Sequence, residues 1–156
     1  MERIAVCPGS FDPVTLGHLD IFSRASNLFD RVIVLVSKNM MKSHESFTPQ
    51  ERKDMILRVT KNLPNLEVDI FGGLLADYVK DAGAIAIVKG LRAVSDFEYE
   101  FQMALANRKL YAGAETVFLT TTTENMYLSS SVVKQIAAFG GDILSLIHIS
   151  EPTRLG

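Results

Sequence analysis

Hydrophobic residues along this chain follow two alternating patterns. Five short runs are rich in apolar, β-forming residues: Ile4–Cys7, Val32–Val36, Leu66–Ile70, Ala84–Val88 and Thr116–Leu119. Successive residues of a strand point to opposite faces, so these runs read as strands covered on both sides. Between them the apolar spacing lengthens to three and four residues, the period of a helix. Gly17–Phe29 carries Leu19, Phe22, Ala25 and Leu28 or Phe29 at that spacing. Asp96–Leu110 does so with Phe97, Phe101, Ala104 and Leu105, and Ser129–Phe139 with Val132, Val133, Ile136 and Ala137. A further helix, Pro49–Leu63, follows Thr48, which forms a capping box with Glu51 and puts Pro49 at the first helical position. Leu74–Asp81 is shorter, and Gly140-Gly141 closes the last helix.

Strand–helix alternation of this kind implies right-handed crossovers and a parallel sheet. The predicted fold is α/β: an open, doubly wound, Rossmann-like sheet of five parallel strands with helices on both faces. Ligands gather beyond the carboxyl ends of such strands. The segments that follow each strand are therefore where chemistry is expected.

Composition narrows the choice without changing the fold. The 156 residues suit one domain with a substantial core. A 47% hydrophobic and 22% charged chain is an ordinary globular one. Its net charge of -2 argues against a nucleic-acid partner, though local cations could still hold a small polyanion. The one cysteine, Cys7, precludes an internal disulfide and favours a reducing compartment, the cytoplasm. It reads as a buried, inert thiol. The first apolar run is too short for a signal peptide, and no run approaches a membrane span.

Three segments after strands have residues suited to phosphate. The first strand leads into Gly9-Ser10-Phe11-Asp12-Pro13 and then Gly17-His18, where a helix begins. Gly9 permits a tight turn, Ser10 has a hydroxyl, and backbone N–H groups at a helix start attract anions. Taken alone, this turn could equally be plain punctuation. The fourth strand leads into Lys89-Gly90-Leu91-Arg92, two cations about a glycine. Alone, it would pass for a solvated basic loop. The fifth strand leads to Ser129-Ser130-Ser131 at another helix start, where simple capping is common. Lys42 adds a cation after the second strand. The coincidence of these segments on one sheet edge carries the weight. His44 and His148 show no partner pattern. The acidic spacing of Asp96, Glu98 and Glu100 reads as a solvated helix face rather than a metal site.

These segments resemble the nucleotidylyltransferase superfamily, whose His-x-Gly-His motif stands here as Thr15-Leu16-Gly17-His18. Within it the chain is most similar to the phosphopantetheine adenylyltransferase family, in which Thr often replaces the first His. The blocks Pro8–Pro13, Gly90–Glu100 and Ser129–Lys134 carry the likeness, which runs from about Arg3 to Ile143. The resemblance implies transfer of AMP from ATP to 4'-phosphopantetheine, giving dephospho-coenzyme A and pyrophosphate by direct in-line attack. It implies catalytic roles for His18, Lys42 and Arg92. It implies ATP contacts at Ser10, Phe11, His18, Gly90, Leu91, Arg92, Glu100, Asn125, Met126, Tyr127, Leu128, Ser129, Ser130 and Ser131. It implies substrate contacts at Ser10, Lys42, Leu75 and Lys89, the last being Arg in many relatives. Mg²⁺ is expected on the ATP phosphates rather than in a protein cage, and the assembly is expected to be a hexamer.

After Ile143 the likeness stops. The stretch from residue 144 to residue 156 lacks the family's final helix and reads as a non-native tail, leaving residues 1–143 as the nucleotidylyltransferase domain. Two other readings remain open. One is a sister enzyme acting on another phosphate, such as nicotinate mononucleotide. The other is a non-catalytic nucleotide-binding module.

Overall fold

In a computed structural model of the chain, residues 1–38, 46–91, 94–120 and 130–142 are described, with backbone alone at residues 94–96, 130 and 133. The elements run β1 (Ile4–Gly9), α1 (Leu16–Leu28), β2 (Arg31–Ser37), α2 (Pro49–Val59), β3 (Leu66–Phe71), α3 (Leu75–Ala82), β4 (Ala86–Leu91), α4 (Val94–Leu110), β5 (Glu115–Thr120) and α5 (Ser130–Ala138). The five strands form one sheet in the order β3-β2-β1-β4-β5, and every pair is parallel.

Alternate strand residues feed two cores. Ala5, Cys7, Val32, Val34, Val36, Ala86 and Val88 pack beneath α1 and α2, against Phe22, Ala25 and Ile56. Ile4, Val6, Ile33, Leu35 and Ile87 pack on the other face, against Val79 of α3. The doubly wound reading holds, and successive apolar residues in β1, β2 and β4 are its cause; the edge strand β3 differs from the expectation, alternating Glu67 and Asp69 outward, where both are exposed.

Several predicted boundaries move, and the largest shifts are at the ends of α2 and β4. The helix from Pro49 ends at Val59 rather than Leu63. Thr60 caps it, its hydroxyl donating to the Ile56 carbonyl at 2.8 Å, and Pro64 disfavours helical geometry at Leu63. The fourth strand is Ala86–Leu91, not Ala84–Val88, because its ladder with β5 continues from Val88↔Val117 to Leu91↔Thr120. Lys89, Gly90 and Leu91 are therefore strand residues, not a loop.

The sheet's order reverses between β1 and β4, and here the pairing is short. β1 matches β2 over six residue pairs, but it matches β4 only at Ala5↔Ala86 and Val6↔Ile87. Pro8 helps to explain the stop. Ile85 N–H donates to the Ile4 carbonyl, so in a parallel ladder the even-numbered residues of β1 turn their polar groups toward β4. Pro8 has no N–H to offer there, and the ladder cannot continue through it. Beyond Val6 and Ile87 the two strand ends are free to part.

Gly90 makes this edge possible. A Cβ at Gly90 would lie 3.0 Å from Cγ1 and 3.2 Å from Cδ1 of Ile21, a core residue of α1. Gly90→Ala should lower stability by about 1–3 kcal/mol through overpacking. Ile21→Val removes Cδ1, so the two changes should be less than additive in a denaturant-based double-mutant cycle. Strict additivity would show that close approach of α1 is not what requires glycine.

Candidate active site at the parting of β1 and β4

A cavity of about 730 Å³ opens where the two strands separate. Its walls are Cys7–Phe11 from β1 and its turn, Thr15–His18 with Ile21 and Phe22 from α1, Val88–Gly90 from β4, and Glu100 from α4. This is the switch point of the sheet, at the carboxyl ends of its strands.

The first turn fixes His18. Thr15 is the N-cap of α1 and His18 is its third helical residue. The Thr15 hydroxyl accepts the His18 N–H at 3.3 Å, and His18 Nδ1 accepts the Thr15 N–H at 3.0 Å. A ring nitrogen that accepts an N–H carries no proton of its own. The neutral imidazole therefore bears its proton on Nε2, as a donor. Phe11 meets the imidazole edge-on with centroids 5.0 Å apart, and Phe22 lies nearly parallel to it at 6.5 Å. The ring is held by the cap at Thr15 and by packing on Phe11 and Phe22.

Phe11 itself sits at φ 50, in the left-handed region. For a residue with a Cβ this costs about 1–2 kcal/mol. Its side chain is buried, and its ring occupies the space a side chain at Gly9 would need: a Cβ there would lie 2.8 Å from Phe11 Cζ. Two further groups brace the turn. The Asp12 carboxylate accepts the N–H groups of Ser46 at 2.7 Å and Phe47 at 2.9 Å. Arg52 of α2 is fully buried, and its Nη1 donates to the carbonyls of Ser10 at 2.6 Å and Ser37 at 3.1 Å. Cys7, at the base of the cavity, has its pKa pushed up to about 12, by burial above all and against the opposing charge of Lys89. It stays a thiol and offers no nucleophile near neutral pH.

On the opposite wall, Lys89 Nζ lies 3.4 Å from Oε2 of Glu100, and both side chains are largely shielded. A smaller cavity of about 100 Å³ lies on the far side of this pair. Leu75, Ile87, Tyr99, Met103 and Asn107 line it, together with Lys89 and Glu100. The ion pair is thus common to both spaces.

The expected residues sort as follows. Ser10, Phe11, His18, Lys89, Gly90 and Glu100 come together around one cavity. Leu75 is not among them; it lines the adjoining cavity beside Lys89. Leu91 ends β4 next to Gly90 without lining the cavity. Ser131 is exposed in the first turn of α5 and is not among the cavity's lining residues. Lys42, Arg92, Asn125, Met126, Tyr127, Leu128 and Ser129 lie outside the described residues, and Ser130 is described in its backbone alone. Two of the three phosphate-suited stretches therefore meet in one cleft.

The sequence reading passed over Asp12, Thr15 and Arg52 as working residues. Arg52 did leave a signal. It shares the i, i+4, i+8 stripe with Ile56 and Thr60, both buried, and a cation on a core-facing stripe is unusual. Asp12 left none, because its partners are backbone groups more than thirty residues away.

Comparison with known proteins agrees with the fold. The sequence pattern of the cytidylyltransferase-like family matches residues 6–136. The phosphopantetheine adenylyltransferase of Caldanaerobacter subterraneus subsp. tengcongensis is 58% identical over 139 residues, 89% of this chain and 86% of the relative. That of Thermodesulfovibrio yellowstonii is 50% identical over 147 residues, 94% of this chain and 91% of the relative. Among solved structures, a bifunctional NMN adenylyltransferase/ADP ribose pyrophosphatase from Francisella tularensis superposes with a TM-score of 0.61 at 16% identity, over 90% of this chain and 43% of that one. This last likeness speaks for the fold alone. On the strength of the sequence matches, the chain belongs to the phosphopantetheine adenylyltransferase family, within the cytidylyltransferase-like proteins.

Proposed function

We propose that this enzyme transfers AMP from ATP to 4'-phosphopantetheine, yielding dephospho-coenzyme A and pyrophosphate. The observation that carries the reading is the single cleft that unites the Ser10–His18 turn with Lys89 and Gly90. The described residues of the cleft supply donors and a cation, and Cys7 is a buried thiol rather than an activated nucleophile. That inventory suits direct attack by the acceptor phosphate oxygen on the α-phosphorus. A phosphate monoester is already anionic near neutral pH and needs no strong base. Positioning and charge stabilisation then carry the rate.

On this reading His18 donates from Nε2 to the α-phosphate oxygens as charge builds on them. Lys42 and Arg92 would orient and neutralise the phosphates. The adenine nucleotide would extend past Phe11 and Gly90 toward Leu91 and the stretch from Asn125 to Ser131. The apolar pocket at Leu75, Tyr99 and Met103 would take the pantetheine arm, with Lys89 at its phosphate end. Among the described residues, no three metal-ligating side chains are grouped, and the cleft carboxylate Glu100 faces Lys89. On this reading Mg²⁺ would be held on the triphosphate oxygens, where it would neutralise phosphate charge. Among the described residues, no helix is long and apolar enough to cross a membrane. A reducing setting, the cytoplasm, agrees with the free thiol of Cys7.

A hexamer is the assembly we infer. Tyr99, Phe101, Leu105 and Leu110 all stand well exposed around α4, which has apolar residues on every side. A second copy of the chain would cover this surface. Native mass measurement should give a hexamer, and a monomer would overturn that part of the reading.

The activity is tested by incubating the protein with ATP, Mg²⁺ and a panel of phosphorylated acceptors, and following pyrophosphate. Release should depend on 4'-phosphopantetheine, and preference for nicotinate mononucleotide would favour the sister chemistry instead. His18→Ala should lower kcat by roughly 10²–10³ while leaving ATP affinity nearly intact, the pattern of a donor used mainly in the transition state. Lys89→Met should raise KM for 4'-phosphopantetheine by about 10- to 100-fold, the worth of a hydrogen bond to a charged group, and change KM for ATP far less. Lys89→Arg should lower the acceptor KM by restoring a forked donor. Equal effects of Lys89→Met on both KM values would remove Lys89 from the acceptor site.

A further inference from the structure

Taking the reading above as given, we propose that Arg52 is a positioning residue: it turns the Ser10–Phe11 peptide so that the Phe11 N–H faces the nucleotide's phosphates. Arginine is rarely buried, and removing a guanidinium from water is costly. Yet Arg52 is fully buried within α2, with Ile56 four residues on along the same apolar stripe. Its Nη1 reaches two backbone carbonyls, one just beyond β1 and one at the end of β2: Ser10 O at 2.6 Å and Ser37 O at 3.1 Å. Both lie at the ligand-binding edge of the sheet. A residue needed only to fill α2's core face would be an aliphatic one.

The geometry of the peptide supplies the rest. In a trans peptide the C=O of one residue and the N–H of the next point in opposite directions. The cis bond in this turn is Asp12–Pro13, so the Ser10–Phe11 peptide is trans. With Ser10 O drawn toward Arg52, the Phe11 N–H must point away from α2. Among the described residues it has no acceptor. Ser10 and Phe11 both line the large cavity. Phe11 is also the residue held at φ 50, a strained conformation that a fixed carbonyl helps to maintain. The buried cation thus works at one remove, setting a neutral donor whose direction an anion would read.

The test compares Arg52→Lys and Arg52→Met with the wild type, measuring kcat, both KM values, ATP affinity by calorimetry and stability in urea. Lysine keeps the charge but loses the planar fork. Folded Arg52→Met should bind ATP about tenfold more weakly or worse, the loss of one hydrogen bond to a charged group, with acceptor KM within about twofold. Arg52→Lys should recover part of the ATP affinity. A purely structural arginine would lower the urea midpoint and the active fraction but leave KM for ATP unchanged, and that result would overturn the proposal. Should Arg52→Met fail to fold, Arg52→Lys decides by the same split. A further arm uses the unaltered protein labelled with ¹⁵N-phenylalanine. Adding ATP should move the Phe11 amide proton downfield, and an unmoved resonance at saturating ATP would also overturn it. Wild-type protein that releases no pyrophosphate with any acceptor, yet shows the Phe11 shift, would defeat the adenylyl-transfer reading while leaving this one standing.

Discussion

The early end of the ladder between β1 and β4 is the constraint on which the rest of this molecule depends. Two residue pairs join these central strands, where six join β1 to β2 and six join β4 to β5. A full ladder would keep the strand ends about 5 Å apart throughout, and no cavity could form between them. Pro8 withholds a donor at the step where the pairing would continue. The released ends carry Gly9 and Ser10 on one side and Lys89 and Gly90 on the other. The cleft is thus written into the sheet itself rather than assembled from long loops.

Once parted, the strand ends have to be held in place, and different groups do so on each side. The β1 end is braced from behind by Arg52 on Ser10 O, while the turn beyond it holds Ser46 and Phe47 through the Asp12 carboxylate. The β4 end keeps its ladder with β5 as far as Leu91 and lets α1 approach through Gly90. His18 stands between, oriented by Thr15 and packed by Phe11 and Phe22. The contacts named for these braces end on backbone groups or aromatic rings.

This division explains what could be read from the residues in advance. Strands and helices were legible because both sheet faces are buried, and burial leaves a strong apolar pattern at Ile4–Cys7 and Val32–Val36. The shared edge followed from topology, since every parallel strand ends on the same side. Side chains that point into the cleft, such as His18 and Lys89, announced themselves by type and place. The braces did not. Asp12 and Arg52 bind main-chain atoms far along the chain, and a main-chain partner has no residue type to recognise. The extension of β4 was hidden for a related reason: Lys89 and Gly90 look like loop residues, and only pairing with Phe118 and Leu119 makes them a strand.

The Lys89–Glu100 pair shows how the wall of such a cleft can carry charge. A lone lysine at a shielded position would be poorly solvated, and a lone carboxylate beside a phosphate site would repel the nucleotide. At 3.4 Å the two neutralise each other in the wall between the cavities. Partly exposed pairs of this kind are worth about 1 kcal/mol or less. A phosphate bearing more than one negative charge, placed at the junction, can therefore draw Lys89 toward itself at small cost. Glu100 would remain on the wall, where its own charge disfavours a phosphate that settles too far toward the nucleotide side. The weakness of the pair leaves Lys89 able to shift toward an anion placed on either side of the wall.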